Sequence, residues 1–405
     1  MRKLSILAAS LLVAWGVIKG LSLLPNGYPL IGYLFTYADG PVRRALLPSL
    51  FSLSGPLTML EIAYWVSVLH LAMMTVFIGI ILNRFMHITE SGDSLRSALV
   101  WLLLASAIIP VISVLNGYFD VLLLCSLFCA WCLLQRGHVI APAIIIVILG
   151  LQHEMALVFG LCLMGAQFLL VAQRRTALVL AAFGVVALAA AGLYLSGLHR
   201  PELVPLAAER CVSRMPAGYP DIVNIWKIYC ERHTTATFAT DFKPWRPLLL
   251  PFLLMACGLF SLIIITTAVV RVRHGANKWQ SLGLLGLIVL PYGLVTVALD
   301  VDRIIVMSAF TGWLILDRWI ELQPERTRSA YRGEQVLLVI GVLMQLPFNY
   351  PSVDAYGLWR VMPPAVADAY LVSPRTWILP IMNRYNLLVP TILSPYICPD
   401  PRCAR

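Results

Sequence analysis

The sequence predicts an all-α protein, a polytopic bundle of about 11 membrane-spanning helices (roughly 10 to 12). Of its 405 residues, 60% are hydrophobic and only 12% are charged, whereas soluble domains carry about 25% charged residues. The apolar residues also form runs close to the ~20 residues that a helix needs to cross the hydrocarbon layer. One water-soluble core cannot bury this much apolar surface, so we expect a single integral membrane domain over residues 1–405.

The predicted spans follow one another along most of the chain. They cover 4–24, 59–82, 98–115, 119–134, 139–171, 177–198, 248–270, 282–299, 304–319 and 336–348. The stretch 139–171 is interrupted by Gln152, His153 and Glu154, so we divide it into two spans. The first run follows Arg2 and Lys3 like a signal peptide, but no small-residue cleavage site comes after it, which favours an uncleaved first span.

The basic residues between the spans predict the orientation. With the N-terminus in the cytoplasm, the inner breaks hold fourteen Lys and Arg residues. The short outer breaks hold only three, Arg43, Arg44 and Arg303. Short cytoplasmic loops are enriched in Lys and Arg, so this bias predicts that the N-terminus is inside and the C-terminus outside. The same distribution makes nucleic acid a poor explanation for the net charge of +10.

Three outer segments are long enough to carry structure of their own. We expect a short helix in the first outer loop, 25–58, and interfacial helices in the large outer loop, 198–247, and the outer C-terminal segment, 349–405. The last two segments contain four cysteines, for which an oxidising compartment would favour disulfides. The pairing stays open among three connectivities. These cysteines are Cys211, Cys230, Cys398 and Cys403.

Four short outer breaks are more polar than connectors need to be: "YADGPVRR", "NGYFD", "LQHEM" and "DVDR". Ionisable groups at membrane depth are costly and usually face a cavity or one another. We therefore expect the helix ends to bring these side chains around one outer pocket. The candidate residues are Asp39, Arg43, Arg44, Asn116, Asp120, His153, Glu154, Asp300, Asp302 and Arg303.

Each break also has a plainer interpretation. Asp39 suits a helix N-terminus with a local ion pair to Arg43. The Asn-Gly step before Asp120 suits a simple turn. The residues 152–154 suit a loop between two short helices, and Leu157 stands where a zinc-peptidase motif needs its second His. The acids at 300 and 302 can pair with the neighbouring Arg303.

The layout and four stretches resemble the GT-C class of membrane glycosyltransferases and bacterial surface-glycan biosynthesis proteins. The stretches are "DGPVRRALLP", "NGYFDVLLL", "LQHEMALVFG" and "ALDVDRIIVMSAF". The resemblance implies transfer of a sugar from a polyprenyl-phosphate-linked donor to a glycan or lipid acceptor, on the outer face of the bacterial inner (plasma) membrane. Many GT-C enzymes carry two adjacent acidic residues in the first outer loop, whereas here Asp39 is followed by Gly40.

The same resemblance implies roles for individual residues. Asp39 would be the catalytic base on the acceptor hydroxyl, and Arg43 and Arg44 would bind the donor phosphate, whose negative charge grows in the transition state. His153 or Glu154 would orient donor or acceptor. The remaining substrate-binding candidates are Asn116, Asp120, Asp300, Asp302 and Arg303. No cofactor is certain. A divalent metal could be held by Asp39 together with Asp300 or Asp302, although nothing in the spacing requires one.

Two other functions remain open from the sequence. A polysaccharide polymerase or ligase would use lipid-linked glycans through a large outer loop with functional arginines. A transporter or flippase for lipid-linked glycans would place charges and broken helices at mid-membrane, often with internal repeats. No repeat is evident, and the charges gather at one rim. The arginines of the large loop are Arg200, Arg210, Arg214, Arg232 and Arg246.

Overall fold

The described part of the chain is helical throughout. The computed structural model describes residues 2–20, 33, 36–39, 46–53, 55, 59–106, 108–114, 118–171, 181–189, 192, 209, 259–274, 277–296, 301–323, 336 and 338–343. Among these residues there are α- and 3-10 helices and turns but no β-strand. The predicted all-α class is therefore confirmed for this part of the chain.

The N-terminal elements begin with helix α1, Arg2–Gly20. A 3-10 turn, Tyr37–Asp39, and a short helix α2, Leu46–Ser52, follow in the first predicted outer loop. Helix α3, Met59–Glu90, begins where the second span was predicted to begin but continues for eight residues beyond the predicted end. Its 32 residues extend over about 48 Å, because an α-helix rises 1.5 Å per residue.

The third predicted span is broken into two helices, α4 (Ser94–Ala105) and α5 (Ile108–Val114). Ser106 ends α4 in extended backbone, φ −74° and ψ 166°. Its hydroxyl donates to the Leu103 carbonyl at 2.6 Å and accepts from the Ile108 N–H at 3.2 Å, replacing main-chain bonds of the helix. Pro110 explains the position of the break, because a proline ring clashes with the carbonyl four residues earlier, which is that of Ser106.

The fourth predicted span and the divided stretch after it form α6 (Asp120–Gln135), α7 (Ile140–Gln152) and α8 (Met155–Leu170). The predicted division of this stretch into two helices is confirmed, and the break between them is at residues 153 and 154. The turn between α6 and α7 is closed by Gly137, which has a φ of +82°. The His138 N–H reaches the Leu133 carbonyl at 3.0 Å, as in a glycine-terminated helix end.

The C-terminal described elements are α9 (Leu259–His274), α10 (Lys278–Val289), a 3-10 helix (Leu290–Thr296) and α11 (Val301–Glu321). The 3-10 segment replaces the second half of the predicted span 282–299 and contains Pro291, which an α-helix interior does not tolerate. Residues 181–189 and 338–343 are also helical, inside two further predicted spans.

Helix α11 lies at the centre of the bundle. It packs against α4, α6, α8, α9 and α10. Every residue with a described side chain from Arg303 to Asp317 is buried, so the helix has no solvent-facing side over this range. Both ends of α11 therefore lie where several other helices meet.

Several large apolar side chains of the helices are exposed, whereas some arginines are buried. Ile140, Ile144 and Ile148 recur every four residues along α7 and are 48–60% exposed. The charged residues Arg96 and Arg303 are instead buried. By length and composition, one helical stretch in the described part, Tyr64–Glu90, can cross a membrane. The four cysteines with predicted disulfides, 211, 230, 398 and 403, lie outside the described residues.

Candidate functional site

Asp120 and Arg303 form a buried ion pair at one end of the bundle. Asp120 lies in the first turn of α6 and Arg303 in the first turn of α11. Arg303 Nε donates to Asp120 Oδ2 at 2.6 Å and Nη2 donates to Oδ1 at 2.8 Å. Their side chains are 4% and 2% exposed. This two-point arrangement is the strongest geometry for an arginine–carboxylate pair, and it joins two of the predicted polar breaks.

The ring of Tyr118 contacts the same guanidinium from another side. Its centroid is 4.0 Å from Arg303 Cζ, within the range of a cation–π interaction. Asp120 and Tyr118 belong to one turn, so a single segment supplies both the carboxylate and the aromatic face. The interpretation of this break as a turn alone is therefore incomplete. The interpretation of Arg303 as a partner for the acids beside it also omits its bond to Asp120.

His70 is a further buried residue near this pair, and the sequence analysis did not select it. It lies on α3 and is 4% exposed. His70 lies close to the backbone of Ser113 in α5 and to the carboxylate of Asp120. A histidine in the middle of the predicted span 59–82 was the signal that could have identified it.

His153 and Glu154 form the sharp turn between α7 and α8. His153 is extended, with φ −155° and ψ 115°, and its N–H donates to the Leu149 carbonyl at 2.7 Å. The Met155 N–H donates to His153 Nδ1 at 3.4 Å. Glu154 Oε2 is 3.7 Å from Nδ1, which is too far for a hydrogen bond.

Two glycines let α7 and α8 pack closely beside this turn. A Cβ added at Gly150 would lie 2.7 Å from the side chain of Leu157. One added at Gly160 would collide with Ile146. His153 is the extended residue of the turn between these helices. The close packing of α7 against α8 on either side of the turn limits the movement of its backbone.

The first outer loop packs against the end of α7, next to His153. The Tyr37 hydroxyl donates to the Leu151 carbonyl at 3.3 Å. The Leu47 N–H donates to Gln152 Oε1 at 2.7 Å, and Gln152 is buried. The 3-10 turn that contains Asp39 therefore lies close to the α7–α8 turn. Burial raises the pKa of the Tyr37 hydroxyl, so Tyr37 remains a neutral donor.

The same loop also contacts the Asp120 segment. The ring centroid of Tyr33 is 5.8 Å from that of Phe51 and 5.3 Å from that of Phe119. Phe119 immediately precedes Asp120. Tyr37 thus connects the first outer loop to the break "LQHEM", and Tyr33 connects it to the break "NGYFD". The Asp120–Arg303 pair then connects "NGYFD" to the fourth break, "DVDR".

The predicted site residues divide into two groups. Four have described side chains in this region: Asp120, His153, Glu154 and Arg303. Asp39 and Asp302 have described backbones, in the 3-10 turn and in α11, but their side chains lie outside the described part. The others, at positions 43, 44, 116 and 300, lie entirely outside it. Among the described side chains, no three of the His, Cys, Asp and Glu residues group closely enough to hold a metal ion.

A second charged cluster, which the sequence analysis missed, lies at the other end of α11. Asp317 is 3% exposed and accepts from Arg84 Nη2 at 2.6 Å and from Arg96 Nε at 2.8 Å. Glu321 pairs with Arg96 at 3.0 Å and Arg318 at 2.5 Å. In the sequence, these arginines belong to the fourteen basic residues that predict the orientation. An aspartate inside the predicted span 304–319 was the available clue.

Arg96 keeps its positive charge in this second cluster. Burial by itself lowers the pKa of Arg96, but the hydrogen bond and charge of Asp317, with the charge of Glu321, outweigh it and raise that pKa above its usual value. Arg96 is therefore ionised at every physiological pH. The cluster ties α3 and α4 to the end of α11 through ion pairs to Asp317.

In comparisons with protein-family models, curated proteins and solved structures, none matches this chain.

Proposed function

We propose that this chain is a polytopic bacterial inner-membrane protein that transfers a sugar from a polyprenyl-phosphate-linked donor to a glycan or lipid acceptor. In this proposal it has about 11 spans, its N-terminus is cytoplasmic and its reaction takes place on the outer face. The resemblance to GT-C glycosyltransferases supplies the reaction. The arrangement of polar and apolar residues in the described helices supports it in two ways.

The first support is the placement of apolar and charged side chains. Large apolar residues are exposed on several helices, including Leu4 and Leu11 on α1 and Trp279 on α10. Buried ion pairs lie at the two ends of α11. Lipid tails favour apolar side chains on the outside of a bundle, whereas charged groups in the hydrocarbon must pair with one another.

The second support, which carries the proposal, is the meeting of the four polar breaks at one end of the bundle. Tyr37 contacts Leu151, Tyr33 contacts Phe119, and Asp120 binds Arg303. A reaction between a lipid-linked donor and an acceptor needs groups from separate segments held at fixed positions. Loops that only connect successive helices would not require side-chain contacts between separate loops.

The chemistry assigns different tasks to the converging residues. Asp39 is the base that takes the proton of the acceptor hydroxyl, as the sugar C–O bond to the donor phosphate breaks and the new glycosidic bond forms. Arg43 and Arg44 bind the departing phosphate. Asp120 and Arg303 are already bonded to each other, so they serve as positioning residues that hold α6 and α11 together under the site.

The test compares variants in cells that lack the native chain. Asp39→Asn and the double variant Arg43→Ala/Arg44→Ala should lower surface-glycan synthesis about 100-fold or more, with accumulation of the polyprenyl-linked donor. The matched control is Glu90→Gln, which also replaces an acid by its amide. Glu90 is the last residue of α3, its side chain is 45% exposed, and this variant should behave as the wild type. Wild-type glycan from both site variants, at equal protein levels, would exclude the mechanism.

A transporter or flippase for lipid-linked glycans is the second candidate, because two helices are interrupted within predicted spans. The interruptions are at Ser106 and at the 3-10 segment Leu290–Thr296. The same variants separate the two functions. A defective transferase leaves its lipid-linked donor on the outer face, where periodate oxidises it in intact spheroplasts, whereas a defective flippase leaves it inside. No described residue favours a polymerase or ligase, whose loop arginines lie outside the described part.

A further inference from the structure

Helices α3 and α11 contact each other in a fixed register. Arg84 on α3 donates to Asp317 on α11 at 2.6 Å, and the ring centroid of Phe77 is 5.5 Å from that of Phe310. The residue numbers differ by 233 in both contacts. A constant difference over two turns means that the two helices run parallel, with each residue of α3 level with a residue of α11.

The same register places His70 on α3 at the level of Arg303 on α11, because their numbers also differ by 233. Residues seven apart in a helix lie on one face, so His70 projects from the face of α3 that carries Phe77. His70 also lies close to the carboxylate of Asp120, which binds Arg303. His70, Asp120 and Arg303 therefore form one polar layer inside the bundle, here called the His70 layer.

One ring nitrogen of His70 has no hydrogen-bond partner in the described part of the chain. The side chain is 4% exposed, and neither ring nitrogen makes a hydrogen bond of good geometry there. The two nitrogens point away from each other, so at most one of them can bond the nearby backbone of Ser113. Buried polar atoms are nearly always hydrogen-bonded, so the second nitrogen indicates a bound polar group.

The chemistry of the layer selects a neutral hydroxyl as that group. An ionised carboxylate has about four lone-pair sites, and Arg303 uses two of those on Asp120. A hydroxyl can donate to Asp120 and accept from an N–H of His70 at the same time. A phosphate would face the charge of Asp120, and a cation would face that of Arg303, so neither ion is compensated here.

The depth of the layer also fits a substrate site. His70 is 14 residues before Arg84, or about 21 Å along α3, and the hydrocarbon layer is about 30 Å thick. Tyr64 and Trp65, which are 61% and 51% exposed, lie about 9 Å from His70 in the other direction and suit the outer interface. Polar groups at this depth are costly and mark substrate sites.

We infer that His70 and Asp120 form a subsite for one hydroxyl of the sugar on which the protein acts. The role of that sugar as a substrate rests on the proposed glycosyl transfer, whereas the preference for a neutral hydroxyl follows from the His70 layer. Arg303 holds the Asp120 carboxylate in place through two bonds, and the Tyr118 ring contacts its guanidinium. The ion pair thereby positions an acceptor for the sugar as well as joining two helices.

Carbethoxylation of the full chain in detergent tests this subsite, because diethyl pyrocarbonate reacts with a free imidazole nitrogen that small molecules can reach. The probes are glucose, mannose, galactose and N-acetylglucosamine, each raised to saturation. At least one should lower the modification rate of His70 about tenfold, as expected when about nine-tenths of the sites are occupied. Peptide mass spectrometry measures each histidine separately.

Two controls accompany this measurement. His87 lies on the same helix with a side chain that is 67% exposed, and its modification should not change with sugar. Glycine betaine has no hydroxyl and should not protect His70. Equal modification of His70 with and without all four sugars, or no modification of His70 under any condition, would overturn the inference.

Variants distinguish a binding role of His70 from a structural one. His70→Leu removes the nitrogen without a partner, so the melting temperature of the sugar-free protein should stay within about 3 °C of the wild type. The same variant should lower surface-glycan synthesis about tenfold, whereas His70→Gln keeps a hydrogen-bonding group and should restore most of it. A large fall in melting temperature with unchanged glycan would show that His70 is structural and would refute the subsite.

The subsite and the proposed function fail separately. Wild-type glycan in the Asp39→Asn and Arg43→Ala/Arg44→Ala variants, together with sugar protection of His70, would exclude the transfer mechanism and retain a sugar-binding subsite. Loss of glycan in those variants, without protection of His70 by any of the four sugars, would retain the transfer mechanism and exclude the subsite.

Discussion

Arg303 and Asp317 lie on the same helix and are each buried in an ion pair with different helices. They are about 21 Å apart along α11, at 1.5 Å per residue. Arg303 is bonded to α6 through Asp120, and Asp317 is bonded to α3 and α4 through Arg84 and Arg96. The central helix is therefore attached by charged groups at both ends, with an apolar, closely packed region between them.

Breaking one partner of the Asp120–Arg303 pair should be strongly destabilising. Asp120→Leu or Arg303→Met leaves a buried charge without compensation, so each should lower the free energy of unfolding by about 3–5 kcal/mol. Replacing both partners, with Asp120→Leu and Arg303→Met, should restore much of this loss. Chemical unfolding of the purified protein in detergent measures all three variants, and additive losses in the double variant would contradict a specific pair.

The cluster around Asp317 should respond in a graded way. Asp317→Asn affects two arginines and should cost the most, about 3 kcal/mol or more. Arg84→Gln should cost less, because the Arg84 side chain is 23% exposed and water compensates for part of its lost bond. His87→Gln, 67% exposed on the same helix, is the control and should be neutral within about 0.5 kcal/mol. Equal melting temperatures for the two variants of the cluster would refute this order.

The space around two glycines predicts that replacement by alanine has opposite effects on stability. Gly160→Ala places a methyl group against Ile146, so we expect a loss of about 1–3 kcal/mol in stability. Gly79→Ala on α3 meets nothing within 4 Å and should gain about 0.5–1 kcal/mol, because alanine loses less backbone entropy in a helix. Thermal unfolding of both variants in one detergent measures the difference. A stabilising Gly160→Ala would show that the two helices are farther apart.

The bond between Leu47 and Gln152 predicts how the first outer loop is held. Gln152→Leu removes the acceptor for the Leu47 N–H. Hydrogen exchange at Leu47 should rise about tenfold, for a lost bond of about 1.4 kcal/mol, while exchange within α8 stays unchanged. Ser52→Ala removes a hydroxyl bonded within the same short helix and serves as the control. If both variants exchange alike at Leu47, the loop does not depend on α7.

Several features of the fold were predictable because they depend on neighbouring residues. The polar residues 152–154 interrupt an apolar run, so the division into α7 and α8 was predicted correctly. The break at Ser106 was also encoded locally, by Pro110 acting on the carbonyl four residues earlier, but the apolar run across it predicted one continuous helix. Hydropathy alone does not distinguish a continuous helix from a broken one.

The sequence by itself determined that the described segments are helices and that charged groups lie at their ends, because both follow from composition and spacing over a few turns. It also suggested that the polar breaks belong together. Which charges pair was decided only by the tertiary structure. Asp120 and Arg303 are 183 residues apart, and nothing near either one selects the other. Their bond exists because α6 and α11 pack side by side, and a buried guanidinium is stable only where a carboxylate meets it.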